Sequence, residues 1–118
     1  MSMRSLLLFC LAITLFAQPS TDLTQALTSS RQRIDSIDGQ IVKLLNDRAQ
    51  VVRQVGLIKK QYHAPASAPG REEQVLRRAA GEARAPLTPS AVEAIYKVIL
   101  YEMSATEATE MEKGSKPQ

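Results

Sequence analysis

The chain has 118 residues, 44% of them hydrophobic and 4% aromatic, with no Trp and a formal net charge of +3. That length fits one domain, and so slight a positive balance is no footprint for nucleic acid; fifteen Lys and Arg against twelve Asp and Glu describe a solvated helical surface. The single cysteine, Cys10, falls in the leader described next, which leaves the mature chain without disulfide or thiolate chemistry.

Met1-Ser2-Met3-Arg4 carries one positive charge, the apolar run Leu6 to Phe16 follows, and Ala17-Gln18-Pro19-Ser20 brings small and turn-forming residues. A basic start, an apolar stretch of about 7–15 residues and a small residue at the exit describe a secretory signal peptide. The run is shorter than the roughly 20 residues of a spanning helix. Cleavage is expected after Ala17, giving a periplasmic or secreted protein of charge +2 once Arg4 is lost, with no stable membrane association after cleavage. The mature domain is expected over residues 18–112 and a disordered tail over 113–118, where Gly, Ser and Pro end the chain.

From Leu23 to about Tyr62 there is no Pro and only Gly39 and Gly56 among the glycines. Ile34, Ile37, Ile41, Leu44, Leu45, Val51, Val52, Val55 and Ile58 recur at steps of three and four, the signal of an amphipathic helix. Ser20 or Thr21 supplies its N-cap. About 40 helical residues span about 60 Å, too long to pack back on themselves, so this segment alone argues for a dimer or a coiled coil. The eight residues His63-Ala-Pro-Ala-Ser-Ala-Pro-Gly70 hold two prolines and a glycine and break the helix, with His63 read as part of its cap. A second helix is expected from Arg71 to Ala83, with Val75 and Leu76 inward. Pro86-Leu87-Thr88-Pro89 breaks the chain again, with Thr88 as N-cap and Pro89 in the first helical position. The third helix carries Val92, Ile95, Tyr96, Ile99, Leu100 and Met103, and frays after about Met111. Tyr96 and Tyr101 read as packing residues. No strand pattern or internal repeat occurs, so the expected fold is all-α, with three helices, long, short and medium.

The informative residues are cations that interrupt an apolar stripe. Ile34, Ile37, Ile41, Leu44, Arg48, Val52, Val55 and Lys59 step along one face of the first helix, and Arg48 and Lys59 stand where the pattern calls for Leu or Ile. Their separation of eleven residues is three turns plus about 20°, so they share a face. Charges on an apolar stripe are paired or solvated. Either these two reach solvent or pair with Asp38 and glutamates across a coiled coil, or they line a pocket for an anion. Arg31, seventeen residues before Arg48, points about 100° away and serves another pocket if the helices pair antiparallel. Gly70-Arg71-Glu72-Glu73 opens the second helix, where free N–H groups favour anions. Arg71 can grip a carboxylate in a two-pronged fashion, and Glu72 can accept from a hydroxyl. Gly56 inside the first helix allows close approach of another helix or of substrate.

Four segments in register, Arg31-Gln-Arg-Ile-Asp-Ser-Ile-Asp38, Leu44-Leu-Asn-Asp-Arg48, Val55-Gly-Leu-Ile-Lys59-Lys60 and Pro69-Gly-Arg71-Glu72-Glu-Gln-Val-Leu76, resemble the all-helical (AroQ-type) chorismate mutases, and so does the third helix from Leu87 to Ile99. The resemblance covers roughly Leu23 to Ala108 and implies an exported member of that family. It implies an intertwined homodimer whose two sites are each built by both subunits, converting chorismate to prephenate with no cofactor and no metal. Arg31 is then expected to cross to the neighbour's site and grip one substrate carboxylate. Arg48 takes the other, Lys59 lies by the ether oxygen, Arg71 supports the anionic end and Glu72 holds the ring hydroxyl. Glu107 falls opposite the lysine, at the ether oxygen, while a slip of one residue puts Ala108 there. Lys59, Glu107 and Arg48 are thus the expected catalytic set. Ala68 stands where the family often has Asp, and Met103 or Ser104 where it often has Ser. The same cations also suit an isochorismate pyruvate-lyase of this fold, and a non-catalytic helical dimer remains the alternative of another class.

Overall fold

The computed structural model describes residues 21–113, so the expected leader, residues 1–17, lies outside the described residues, as do residues 114–118 of the tail. Three helices follow in order: α1 over Thr21–Gln61, α2 over Pro69–Gly81 and α3 over Pro89–Glu112. No strand occurs among the described residues, and the fold is all-α with the long, short and medium helices expected. None of these helices is long and apolar enough to cross a membrane.

The chain divides into two compact units, one ending at Ile37 and one beginning at Asp38. In the first unit, the N-terminal part of α1 carries Leu27, Ile34 and Ile37, each about half exposed. Asp22 in the first turn complements the positive end of the helix dipole.

The second unit holds the rest of α1 with α2 and α3. Lys59 and Lys60 occupy the last turn of α1, where cations are favoured. Beyond it the Ala64 N–H reaches Lys59 O at 2.8 Å and the His63 N–H reaches Lys60 O at 3.2 Å. Those two bonds, with His63 at φ 52°, form a Schellman cap in which a histidine holds the left-handed position that glycine usually takes.

Helix α2 starts two residues earlier and ends two residues earlier than its sequence pattern suggests. Pro69 occupies the first turn, where its fixed φ and missing N–H cost nothing. Ala68 caps with its backbone alone, its carbonyl accepting from Arg71 N at 3.0 Å and Glu72 N at 3.2 Å. At the other end the Glu82 N–H bonds to Ala79 O. Helix α3 opens as expected: Thr88 is the N-cap, its Oγ1 accepting from Ala91 N at 3.2 Å, with Pro89 next. It closes at Lys113, whose N–H bonds to Thr109 O.

The core of this unit is small. Val75 and Ala79 of α2 and Val92 of α3 are buried where those two helices pack, and Leu76 is half-buried. Gly56 is the buried residue of α1. A Cβ built on it would meet Glu107 O at 3.1 Å and Glu107 Cγ at 3.3 Å. Of the two partners that a glycine here was expected to admit, a helix is the one present. Ile41, Leu44, Val51 and Ile58 of α1, and Ile95, Val98 and Tyr101 of α3, stay about half exposed or more.

Candidate active site

In the second unit a cavity of about 440 Å³ opens between the three helices, within the range that encloses small metabolites. Helix α1 contributes Arg48, Val52, Val55 and Lys59. Their spacing of four, three and four keeps them on one helical face, so both cations that interrupt the apolar stripe look into the same space. Helix α2 contributes Arg71, Glu72, Val75 and Arg78, again one face from its first turn onward. Helix α3 supplies Tyr96, Leu100, Met103, Ser104 and Glu107. All three helices thus contribute both apolar walls and charged groups.

Four cations, Arg48, Lys59, Arg71 and Arg78, face two carboxyls, Glu72 and Glu107, around this lining. Arg48 Nη1 is buried and has no hydrogen-bond partner. A buried donor left unsatisfied costs about 1–3 kcal/mol, more when charged, and the cost is removed by an anionic acceptor in the cavity. Arg71 is held from behind, its Nη1 donating to Gln74 Oε1 at 2.5 Å one turn along α2. This leaves its other nitrogens for a ligand.

Lys59 is the best anchored group of the site. Its Nζ donates to Glu107 Oε1 at 2.5 Å and to Ala66 O at 2.7 Å, and both side chains are mostly buried. An ammonium carries three N–H groups. Two are used here, and the third is available to an acceptor in the cavity. Glu107, not Ala108, is the α3 residue in the lining and the one on Lys59, because Glu107 follows Leu100 and Met103 on the face that α3 turns to the cavity.

Of the residues expected from the sequence, Arg48, Lys59, Arg71, Glu72 and Glu107 are brought together. Arg31 is exposed and belongs to the first unit, whereas the lining belongs wholly to the second. Sequence reasoning missed three contributors, one of them Tyr96, which it read as a packing residue and which lines the cavity. Arg78 follows Arg71 by seven residues and Val75 by three, which is the signal that could have found it. The Ala66 carbonyl carries no side-chain signal at all. Ala68, Met103 and Ser104 are all in the lining. Among the described residues no group of three or more His, Cys, Asp or Glu could hold a metal ion.

The fold is shared with solved chorismate mutases. The form II structure from Thermus thermophilus superposes with a TM-score of 0.68 at 23% identity, covering 70% of this chain and 94% of that one. The chorismate mutase from Helicobacter pylori, solved in complex with prephenate, gives 0.69 at 21% identity, covering 75% and 97%. Among curated proteins, the bifunctional chorismate mutase/prephenate dehydratase of Neisseria gonorrhoeae is 33% identical over 88 residues, which is 75% of this chain and 24% of that protein. The chain spans about a quarter or less of the length of the curated relatives it matches. The family described as chorismate mutase type II matches residues 30–108, and the chain, with its three helices and its cationic cavity, belongs to that family.

Proposed function

We propose that this chain rearranges chorismate to prephenate, and that Arg48 is the residue on which the reading turns. The observation that carries it is the buried, unpartnered Arg48 Nη1 in a cavity with three further cations. The substrate carries two carboxylates, and prephenate is the ligand of the Helicobacter pylori neighbour.

The rearrangement is intramolecular: the ether C–O bond breaks while a C–C bond forms within the same molecule, and nothing is transferred to the protein. Two contributions lower the barrier. The folded conformer must be held with its reacting ends together, and negative charge growing on the ether oxygen must meet a fixed donor. Arg48 takes the enolpyruvyl carboxylate, Arg71 supports the anionic end, and Glu72 accepts from the ring hydroxyl. Lys59 turns its third N–H to the ether oxygen without releasing Glu107 or Ala66. Glu107 has two parts open to it. As a carboxylate it holds Lys59 in place. Only when protonated does it donate to the ether oxygen itself.

The site is completed by a second copy of the chain. Leu44, Val51 and Ile58 recur every seven residues on α1, the spacing of a helix–helix seam, and each is more than half exposed. Burying such a side chain contributes about 1.5–3 kcal/mol, so this row favours association strongly. In the homodimer Arg31 of one copy grips the second carboxylate in the site of the other. Export through the leader at residues 1–17 belongs to the same proposal, and N-terminal sequencing of the protein from culture fluid or periplasm checks it.

Two variants mixed together test the shared site. Arg31→Ala and Arg48→Ala are each expected to lose most of their activity on chorismate, and their mixture regains activity because one of the mixed dimer's sites has both arginines. A mixture as inactive as its parts, from chains shown to exchange, contradicts sharing. Pyruvate release from isochorismate without prephenate formation would move the chain to the lyase reaction.

A further inference from the structure

Glu110 is the one buried charged residue among those described, yet it does not line the cavity. It lies three residues beyond Glu107 on α3, about 60° around the helix. Both of its carboxylate oxygens are taken. Arg53 Nε of α1 lies 3.1 Å from Oε2, and Lys113 Nζ donates to Oε1 at 2.7 Å.

Arg53, Gly56 and Lys59 follow one another at steps of three on α1. Gly56 brings α1 close to α3, since its missing Cβ would fall 3.1 Å from Glu107 O and 3.6 Å from Glu110 Cβ. One ion pair stands on each side of that contact, Arg53–Glu110 before it and Lys59–Glu107 after it. A single close contact sets the distance between two helices and leaves each free to turn about its axis. A second tie removes that freedom. Arg53 is half exposed, and a pair with one wet partner contributes little to stability, so its value lies in geometry.

We propose that Glu110 is a positioning residue: held by Arg53, it fixes the rotation of α3 about the Gly56 contact and so sets the Glu107 carboxyl on Lys59. The inference rests on the reading of Lys59 and Glu107 as the pair at the ether oxygen. It concerns a residue that touches no substrate, and it assigns to the Arg53–Glu110 pair a catalytic consequence that charge and burial alone do not require.

The test uses the purified full chain with Glu110→Gln, which keeps the shape and removes the charge. Turnover of chorismate is measured alongside the carboxyl-carbon NMR signal of Glu107, identified by its disappearance in Glu107→Gln. The expected result is a fall in kcat of about tenfold with KM little changed, as a small displacement of a reacting group produces, together with a shifted Glu107 signal. In a Glu107→Ala background the same Glu110→Gln change is expected to cost nothing further. An unchanged kcat, an equal fall in both backgrounds, or an unmoved Glu107 signal overturns the proposal. If the unaltered chain leaves chorismate untouched, the proposed reaction fails, and the Glu107 signal then decides the positioning role alone. Should Glu110→Gln not fold, Arg53→Gln leaves Glu110 on Lys113 and serves for the same comparisons.

Discussion

Lys59 Nζ lies 2.5 Å from Glu107 Oε1, so the last turn of α1 and the C-terminal part of α3 meet through one ion pair at the wall of the cavity. The pair fixes the donor that the proposed reaction needs, and it also raises a question of charge. A carboxylate facing an ether oxygen that is becoming negative opposes the reaction, whereas a protonated carboxyl assists it. Glu107→Gln, whose amide can donate to the ether oxygen, is therefore expected to keep kcat close to that of the parent, whereas Glu107→Ala is expected to lower it. Equal kcat in Glu107→Ala and the parent would show that Glu107 contributes nothing at the ether oxygen.

Gly56 separates Glu107 from α1 by the width of one missing methyl group. Gly56→Ala gains about 1 kcal/mol of helix propensity, but overpacking of a close contact costs about 1–3 kcal/mol. The contact atom includes a backbone carbonyl, which cannot rotate aside, so the clash is expected to win. The variant should melt lower and lose kcat by about tenfold or more as Glu107 is displaced. A variant more stable than the parent with full kcat would mean that α3 gives way without consequence for the site.

His63 holds φ 52° at the end of α1. A left-handed residue with a Cβ costs about 1–2 kcal/mol, and glycine returns part of that through its own entropy, about 0.5–1 kcal/mol. His63→Gly is accordingly expected to raise the melting temperature by a few degrees. A lower melting temperature would show that the imidazole contributes more than its backbone position costs.

Much of this was legible in the sequence for identifiable reasons. The stripe along α1 is long and free of proline, so its helix and the shared face of Arg48 and Lys59 follow from the period alone. Thr88-Pro89 states its own N-cap. The start of α2 was not legible, because Pro69 and Gly70 read as loop residues until Ala68 is seen to cap with its carbonyl. Glu107 could be placed from the family register but not distinguished from Ala108 without α3 packed in place. Arg53 and Glu110 carry no pattern at all: they are ordinary surface residues in the sequence, and only the closeness of the helices at Gly56 joins them.

Arg53 and Lys113 hold the Glu110 carboxyl below the ordinary glutamate range, with the hydrogen bond from Lys113 the larger influence. A group with a lowered folded value contributes stability that is present above its unfolded value and lost as pH falls through its folded one. Because both cations are exposed and such pairs are screened, the melting temperature of the parent should exceed that of Glu110→Gln by only a small margin at neutral pH. The gap should close as the pH drops below the usual carboxylate range. A gap that is constant with pH would place the effect in packing and not in charge.

The central claim is that the unpartnered Arg48 guanidinium makes this cavity a site for chorismate. It is tested most directly by following loss of chorismate and appearance of prephenate with the purified chain beside Arg48→Ala. Since a hydrogen bond to a charged group contributes about 1.5–3 kcal/mol, the account predicts conversion by the parent and a loss of about 100-fold in kcat/KM in the variant. Equal activity in the two proteins, or none in a parent that is folded and dimeric, would contradict it.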